Sequence, residues 1–260
     1  MQDYHLLLLD DGSTDGTGQE VAKAMGSRVT VLRGNGKWWW GGSLQQAYKW
    51  LIRTKVADED RILIMNNDIE FDHLFLATGM RLSSENPSGL LAAVAYLASG
   101  QIRDVGIKID WNKFEFNVDW SGKEIDCLST RGLILSMRSF KKIGGFYPVI
   151  LPHYFSDYEF THRAFRKGFR LYTDRSFRVA ADETTTGEVT IPMDNKRKAV
   201  VAFFSKRYKA NPIYRISFIL LAGPGFFVKA KLVSKELYRI LLFFYGILFV
   251  SSKRHMGKTT

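Results

Sequence analysis

Short apolar runs that stop on acids or carboxamides limit what this chain can fold into more than any other feature. Tyr4 to Leu9 runs apolar into Asp10 and Asp11, and Arg61 to Met65 runs into Asn66, Asn67 and Asp68. The first fits a buried parallel strand, and the second reads as a further strand. Between them lie a turn-rich stretch, Asp10 to Thr17, with Ser13 and Thr14 as caps for a helix through Met25, and a β-branched strand over Arg28 to Leu32. A Gly and Trp loop, Gly34 to Gly42, then leads into a helix of about three turns from Ser43 to Thr54. Strand, helix, strand, helix, strand in this order predicts an α/β sheet whose functional loops gather at the carboxyl ends of the strands.

The pattern loosens downstream. Leu90 to Ala98 and Gln101 to Ile109 read as a strand pair, Trp111 to Cys127 as a more exposed antiparallel segment, and Arg131 to Met137 as a buried strand. Asp157 to Lys167 reads as a helix ending at Gly168, with Phe169 to Thr173 as a final strand. Its first turn adds a third acidic cluster, Asp157 and Glu159. Each cluster has a structural use of its own: Asp10 and Asp11 in an Asx-turn, Asp68 in a strand-ending turn, Asp157 as a helix N-cap. Converging over one sheet edge, they can instead hold a divalent cation or take up a proton.

Charge divides the chain. Of 37 Lys and Arg, 14 lie from Lys196 onward with a single acid, Glu236, so the tail carries +13 and the remainder −2. The tail also holds two apolar runs, Ile216 to Val228 and Ile240 to Val250. As a helix the second reaches about 16 Å, roughly half of a ~30 Å hydrocarbon core, and is too short to span it. Lys229, Lys231, Lys235 and Arg239, beside Phe226, Phe227, Leu232, Leu237 and Tyr238, suit an interfacial helix on an anionic leaflet. They equally suit a helical pair packed on the body with a solvated basic face. Nucleic acid fits the apolar runs poorly and is not expected as a partner.

The composition shift near Met193 divides a globular body over residues 1–193 from an amphipathic, membrane-associating region over 194–260. Cys127 is the only cysteine, which excludes an intramolecular disulfide. Met1 to His5 lack the basic and apolar pattern of an export signal. The expected place is the cytoplasm, peripheral on the inner face of the cytoplasmic membrane.

Five segments in register carry a family resemblance: LLLLDDGSTDGT (6–17), GNGKWWWGGSLQQAY (34–48), LIMNNDIEF (63–71), RGLILSMRSFKKIGGF (131–146) and HYFSDYEFTHRAFRKGFRL (153–171). Together they resemble the family 2 glycosyltransferases of the GT-A fold, closest to bacterial rhamnosyltransferase-like and polysaccharide-assembly members of the cell envelope, which often carry NND for an all-acidic triplet. The resemblance implies a Rossmann-like mixed sheet flanked by helices. It also implies inverting, hexosyltransferase-type transfer from a nucleotide-diphosphate sugar to a glycan or lipid-linked acceptor.

By resemblance, Asp11 pairs with the nucleotide base beside Asp10, and Asp68 holds Mg²⁺ or Mn²⁺ on the diphosphate. Asn66 stands where the first carboxylate usually stands, followed by Asn67. Asp157 maps to the catalytic base and Glu159 to the second acid of that motif. Gly144 and Gly145 match the loop shaping the acceptor side, and Trp39 and Trp40 offer faces for sugar stacking, although a place in the core is also open to them.

Two departures accompany the resemblance. Family members usually place a strand and helix before the first motif, whereas only Met1, Gln2 and Asp3 precede Tyr4. Either the chain is a fragment, which is the expectation, or its sheet closes over the gap. Many relatives also carry a histidine near the diphosphate where this chain reads VAADETTTGE (179–188), leaving Asp182 or Glu183 for a supporting role. The alternative function is therefore a truncated, inactive relative acting as a membrane- or partner-binding module.

Overall fold

The computed structural model describes residues 4–181 and 189–249. The chain divides into two compact units, Met1–Asp110 with Glu115–Thr185, and Trp111–Phe114 with Thr186–Thr260. Composition put the boundary near Met193. Packing puts it earlier and gives residues 111–114 to the second unit, because contacts follow apolar burial and not the run of charge.

In the first unit β1 (Leu6–Asp10) pairs in parallel with β2 (Val29–Arg33), connected through α1 (Thr17–Met25). Ser13 and Thr14 do not cap this helix. Its N-cap is Gly16 at φ 83, and Asp15 accepts the Thr17 N–H at 2.9 Å. Helix α2 (Trp39–Arg53) starts earlier than expected, taking in two glycines that read as loop residues. Gly41 is there for close approach: a Cβ would lie 2.6 Å from the Leu151 carbonyl oxygen.

There follow β3 (Arg61–Ile64), β4 (Ile69–Glu70), α3 (Phe75–Glu85), β5 (Leu90–Tyr96), β6 (Ile102–Asp104), β7 (Ile107–Asp110), β8 (Glu115–Val118) and β9 (Leu133–Ser136). Then come α4 (Met137–Ile143), α5 (Ser156–Arg166) and β10 (Leu171–Ala181), the last longer than its sequence signal. The main sheet runs β3-β9-β5-β10-β4, with β6 also on β5. β5 and β10 are parallel and the other pairs antiparallel, so the sheet is mixed.

Strand alternation sorts its two faces. Leu90, Ala92, Leu133 and Leu135 pack with α2, α4 and α5 around Phe140 and Phe160, whereas Leu91, Ala93 and Ile134 pack with α3 around Phe75 and Phe177. Helices therefore cover both faces. At one side the layer is discontinuous: among the described residues β1 pairs only with β2, and β3 only with β9. Leu9 and Ile62 pack on the same core, but no strand pairing closes the sheet between them.

The second unit contains α6 (Lys196–Phe203), α7 (Pro212–Ala222) and α8 (Gly225–Phe249). Buried Asn211 starts α7 by accepting the Ile213 N–H at 2.9 Å, with Pro212 in the first turn. Phe203 and Phe243 stack at 3.8 Å, and Phe218 meets the rings of Trp111 and Phe114. The basic stretch and the second apolar run form one continuous helix, α8. Among the described residues no helix is long and apolar enough to cross a membrane.

Candidate functional site

Asp10 ends β1 and is spent on its own turn. It is buried, and its Oδ1 accepts the Ser13 N–H at 2.8 Å, the main reason its carboxyl titrates below the usual range. A Cβ on Gly18 would come 2.6 Å from its Oδ2. This is the Asx-turn use open to such a residue.

Asp11 reaches across to the Trp loop. Its Oδ1 accepts the Gly36 N–H and its Oδ2 the Trp39 N–H, both at 2.9 Å. That pair of bonds fixes residues 34–39 and the start of α2. Each carboxylate oxygen has a second acceptor position, and those are what remain for a nucleotide base.

From the start of α2 the connections continue inward. Trp40 packs against the core and donates its indole N–H to Thr130 Oγ1 at 3.1 Å, while the Trp39 ring lies 5.7 Å from that of His153. Gly41 N–H donates to the Pro152 carbonyl at 2.8 Å. Trp40 is thus a core anchor, and Trp39 sits beside the segment that leads into α5.

Phe155 turns that segment with a left-handed φ of 67, rare for a side chain of its size, and α5 then begins with Ser156 and Asp157. Thr161 Oγ1 both donates to the Leu128 carbonyl and accepts its N–H, each at 3.0 Å, which ties α5 to the loop leading into Thr130. Asp157 accepts one hydrogen bond, from the Tyr158 N–H at 2.9 Å. Burial is the dominant influence and raises its pKa from 3.8 to about 6, opposed by that hydrogen bond and the Arg131 charge and assisted by the Asp104 charge. Burial also pushes the neighbouring Tyr158 phenol well up.

Asp104 and Arg131 were missed by sequence reasoning. Asp104 ends the short β6, is buried, and holds the Gly106 N–H at 3.0 Å. Arg131 begins a predicted strand and gave no signal beyond its charge. In the structure the Gly132 N–H donates to the Ile64 carbonyl at 3.0 Å, so Arg131 sits where β3 gives way to Asn66, Asn67 and Asp68. Asn67 is exposed, whereas Asn66 Oδ1 is buried and accepts no hydrogen bond among the described residues. Hydrogen bonds therefore bring the Asp11 loop, the Trp helix, the Asn66–Asp68 turn and Asp157 to one side of the unit.

Glu159 and the glycine loop do something else. The Glu159 side chain is 5% exposed, and both of its oxygens accept from Arg163, at 2.9 Å each. Arg163 also donates to the carbonyls of Ile143 and Gly145 at 2.7 Å and lies over the Tyr147 ring. A Cβ on Gly145 would meet Tyr48 at 2.8 Å, and the Phe146 N–H donates to Gln45 Oε1. Glu159 and Gly145 thus belong to a brace joining α5, α2 and the 143–146 loop. Gly144, at φ 93, supplies the bend.

Among the described residues no group of three or more His, Cys, Asp or Glu side chains is arranged to hold a metal. Asp182 and Glu183 lie outside the described residues. What the Asn66–Asp68 turn offers is one carboxylate and one buried, unsatisfied amide oxygen, both hard donors. That set fits a cation whose remaining ligands come from a phosphorylated substrate.

A family model described as glycosyl transferase family 2 matches residues 1–144, more than half of the chain. The chain belongs to that family. Among solved structures, this family member resembles GalNAc-T7 with UDP, GalNAc and Mn²⁺ at 10% identity and a TM-score of 0.54, over 68% of this chain and 37% of that one. It also resembles S. aureus TarS 1-349 in complex with UDP-GlcNAc at 16% identity and a TM-score of 0.52, over 84% of this chain and 64% of that one. These likenesses show a shared GT-A fold, and the chain spans less than two thirds of either relative. No curated protein matches it.

Proposed function

We propose that the chain transfers a hexose from a nucleotide-diphosphate sugar to a hydroxyl of a glycan or lipid-linked acceptor, with inversion and with Asp157 as the base. The observation that carries this reading is the Asp157 carboxyl, held at the start of α5 with a pKa of about 6. Such a base is ionised at neutral pH yet basic enough to share a proton in the transition state. As the acceptor oxygen attacks the anomeric carbon, Asp157 takes its proton, and the glycosidic bond to the diphosphate breaks on the opposite face. No covalent enzyme intermediate is needed.

Asp68, assisted by Asn66 Oδ1, would hold Mg²⁺ or Mn²⁺. When bound, the cation would offset the charge developing on the leaving diphosphate. Asp11 offers its remaining acceptor positions to the base, and Trp39 a face to the sugar. The Asn-Asn-Asp triplet supports a place among the rhamnosyltransferase-like, polysaccharide-assembling members. The test is a panel of nucleotide sugars with Mn²⁺ or Mg²⁺, following nucleoside diphosphate release with and without acceptor extracts. Release from at least one donor is expected, and chelation should suppress it.

The discontinuity between β1 and β3 favours the second reading, an inactive binding module. Failure of every donor, together with no nucleotide binding by calorimetry, would establish that reading instead.

The electrostatics of Asp157 predict the acid limb of the rate profile. Because the base works only when ionised, kcat/KM should rise about tenfold per pH unit below about 6 and level off above it. Arg131 lowers this pKa and Asp104 raises it, so the two variants should move the limb in opposite directions: Arg131→Gln toward higher pH, Asp104→Asn toward lower. Shifts of the same sign in both would show that neither charge acts on Asp157.

A further inference from the structure

Helix α8 has two apolar faces, one buried inside its own unit and the other exposed. Leu232, Glu236 and Ile247 are buried and Phe243 stacks on Phe203, which at 100° per residue defines one side of the helix. The opposite side carries Leu237, Tyr238, Leu241, Leu242, Tyr245 and Leu248, all at least half exposed, with Leu241 at 66%. From Leu237 to Leu248 this outer face holds no charged residue. One turn before the helix's first lysines the same face adds Phe226 and Phe227, 77% and 86% exposed.

Charge selects the occupant. From Lys196 onward the only acid is Glu236, and it points inward: its side chain is 3% exposed and clamped by Arg215 and Arg239, each at 2.7 Å. Lys231 stands exposed on the outer face between the aromatic pair and the uncharged stripe, and Lys235, also exposed, stands at its flank with its Nζ donating to the Lys113 carbonyl at 3.0 Å. An apolar stripe flanked by lysines, with no exposed acid between Lys196 and Phe249, matches a surface that is apolar within and anionic at its rim. A nucleic acid would leave the stripe facing phosphate.

We infer that the outer face of α8 docks on an anionic phospholipid bilayer, with residues 237–248 in the acyl boundary and Lys231 and Lys235 among the headgroups. The uncharged stripe is about 18 Å long at ~1.5 Å per residue, against a hydrocarbon core of about 30 Å. The helix therefore lies along the surface. This inference is independent of the chemistry proposed for the first unit.

The full chain should co-sediment with phosphatidylglycerol–phosphatidylcholine vesicles, at least tenfold less with phosphatidylcholine alone, and less again as salt is raised from 0.1 to 0.5 M, those being ~concentrations that bracket useful screening. The double variant Leu241→Glu, Tyr245→Glu should lose vesicle binding while its circular dichroism stays unchanged. Hydrogen exchange on the unaltered chain should show residues 237–248 protected when vesicles are added. Equal binding by the double variant, or absence of that protection, overturns the proposal. So does a wild-type dimer that ignores vesicles and becomes monomeric in the double variant, which would make the face a contact between copies of this chain.

Discussion

Replacing Asp157 by asparagine should lower kcat by roughly two to four orders of magnitude and, at the same time, stabilise the protein above pH 6. The two effects share one origin. Burial raises the carboxyl from 3.8 to about 6, so between those pH values the folded chain holds a proton that the unfolded chain has released. Stability from this group is fully present below the unfolded pKa and is lost as pH rises through the folded one. By linkage the loss is at most about 3 kcal/mol, since each pKa unit corresponds to ~1.4 kcal/mol.

Asparagine keeps the shape and an oxygen to accept the Tyr158 N–H, but it carries no charge to desolvate. At pH 7.5 the variant's Tm should therefore exceed that of the unaltered chain by several degrees, and at pH 4 the two should agree. Thermal melts at both pH values, alongside nucleoside diphosphate release with saturating donor and acceptor, check this. Turnover retained within a factor of three would remove Asp157 from the base role. A fall in Tm at pH 7.5 would instead make the carboxylate a structural anchor.

The strand-and-carboxylate rhythm made the order of elements legible, because an apolar run packed on the core stops where the sheet ends, whether its pairing is parallel as in β1 or antiparallel as in β3. Asp11, Asp68 and Asp157 stood out in the sequence because each is also local punctuation, at the end of an apolar run or the start of a helix. Arg131 and Asp104 act on Asp157 through space from elsewhere in the chain, and nothing in their neighbours' spacing announces it. The start of α2 was misplaced for a related reason. Gly41 and Gly42 look like loop residues, yet the Leu151 and Pro152 carbonyls pass close to Gly41, and a Cβ on Gly42 would lie 3.2 Å from the Trp38 Cβ. Glu159 shows the converse: its motif position matched a substrate contact, while its burial and its i,i+4 partner Arg163 are properties of the folded helix.

Glu159 accordingly gives the sharpest separation between motif position and physical role. Glu159→Ala should destabilise the first unit by about 3–5 kcal/mol, the usual cost of breaking a buried ion pair from one side. The Arg163 guanidinium would be left 15% exposed with two of its donors still on the Ile143 and Gly145 carbonyls. Glu159→Gln should cost less, since an amide oxygen still accepts from Arg163 while the charge is lost. If the brace is the whole role, the fraction that remains folded should bind donor with unchanged KM, and cooling should restore most of the activity. A residue that touched substrate would behave oppositely, raising KM several-fold at a temperature where the variant is fully folded. Melting curves paired with donor saturation curves at two temperatures distinguish the two, and an altered KM in the folded glutamine variant would return Glu159 to the substrate.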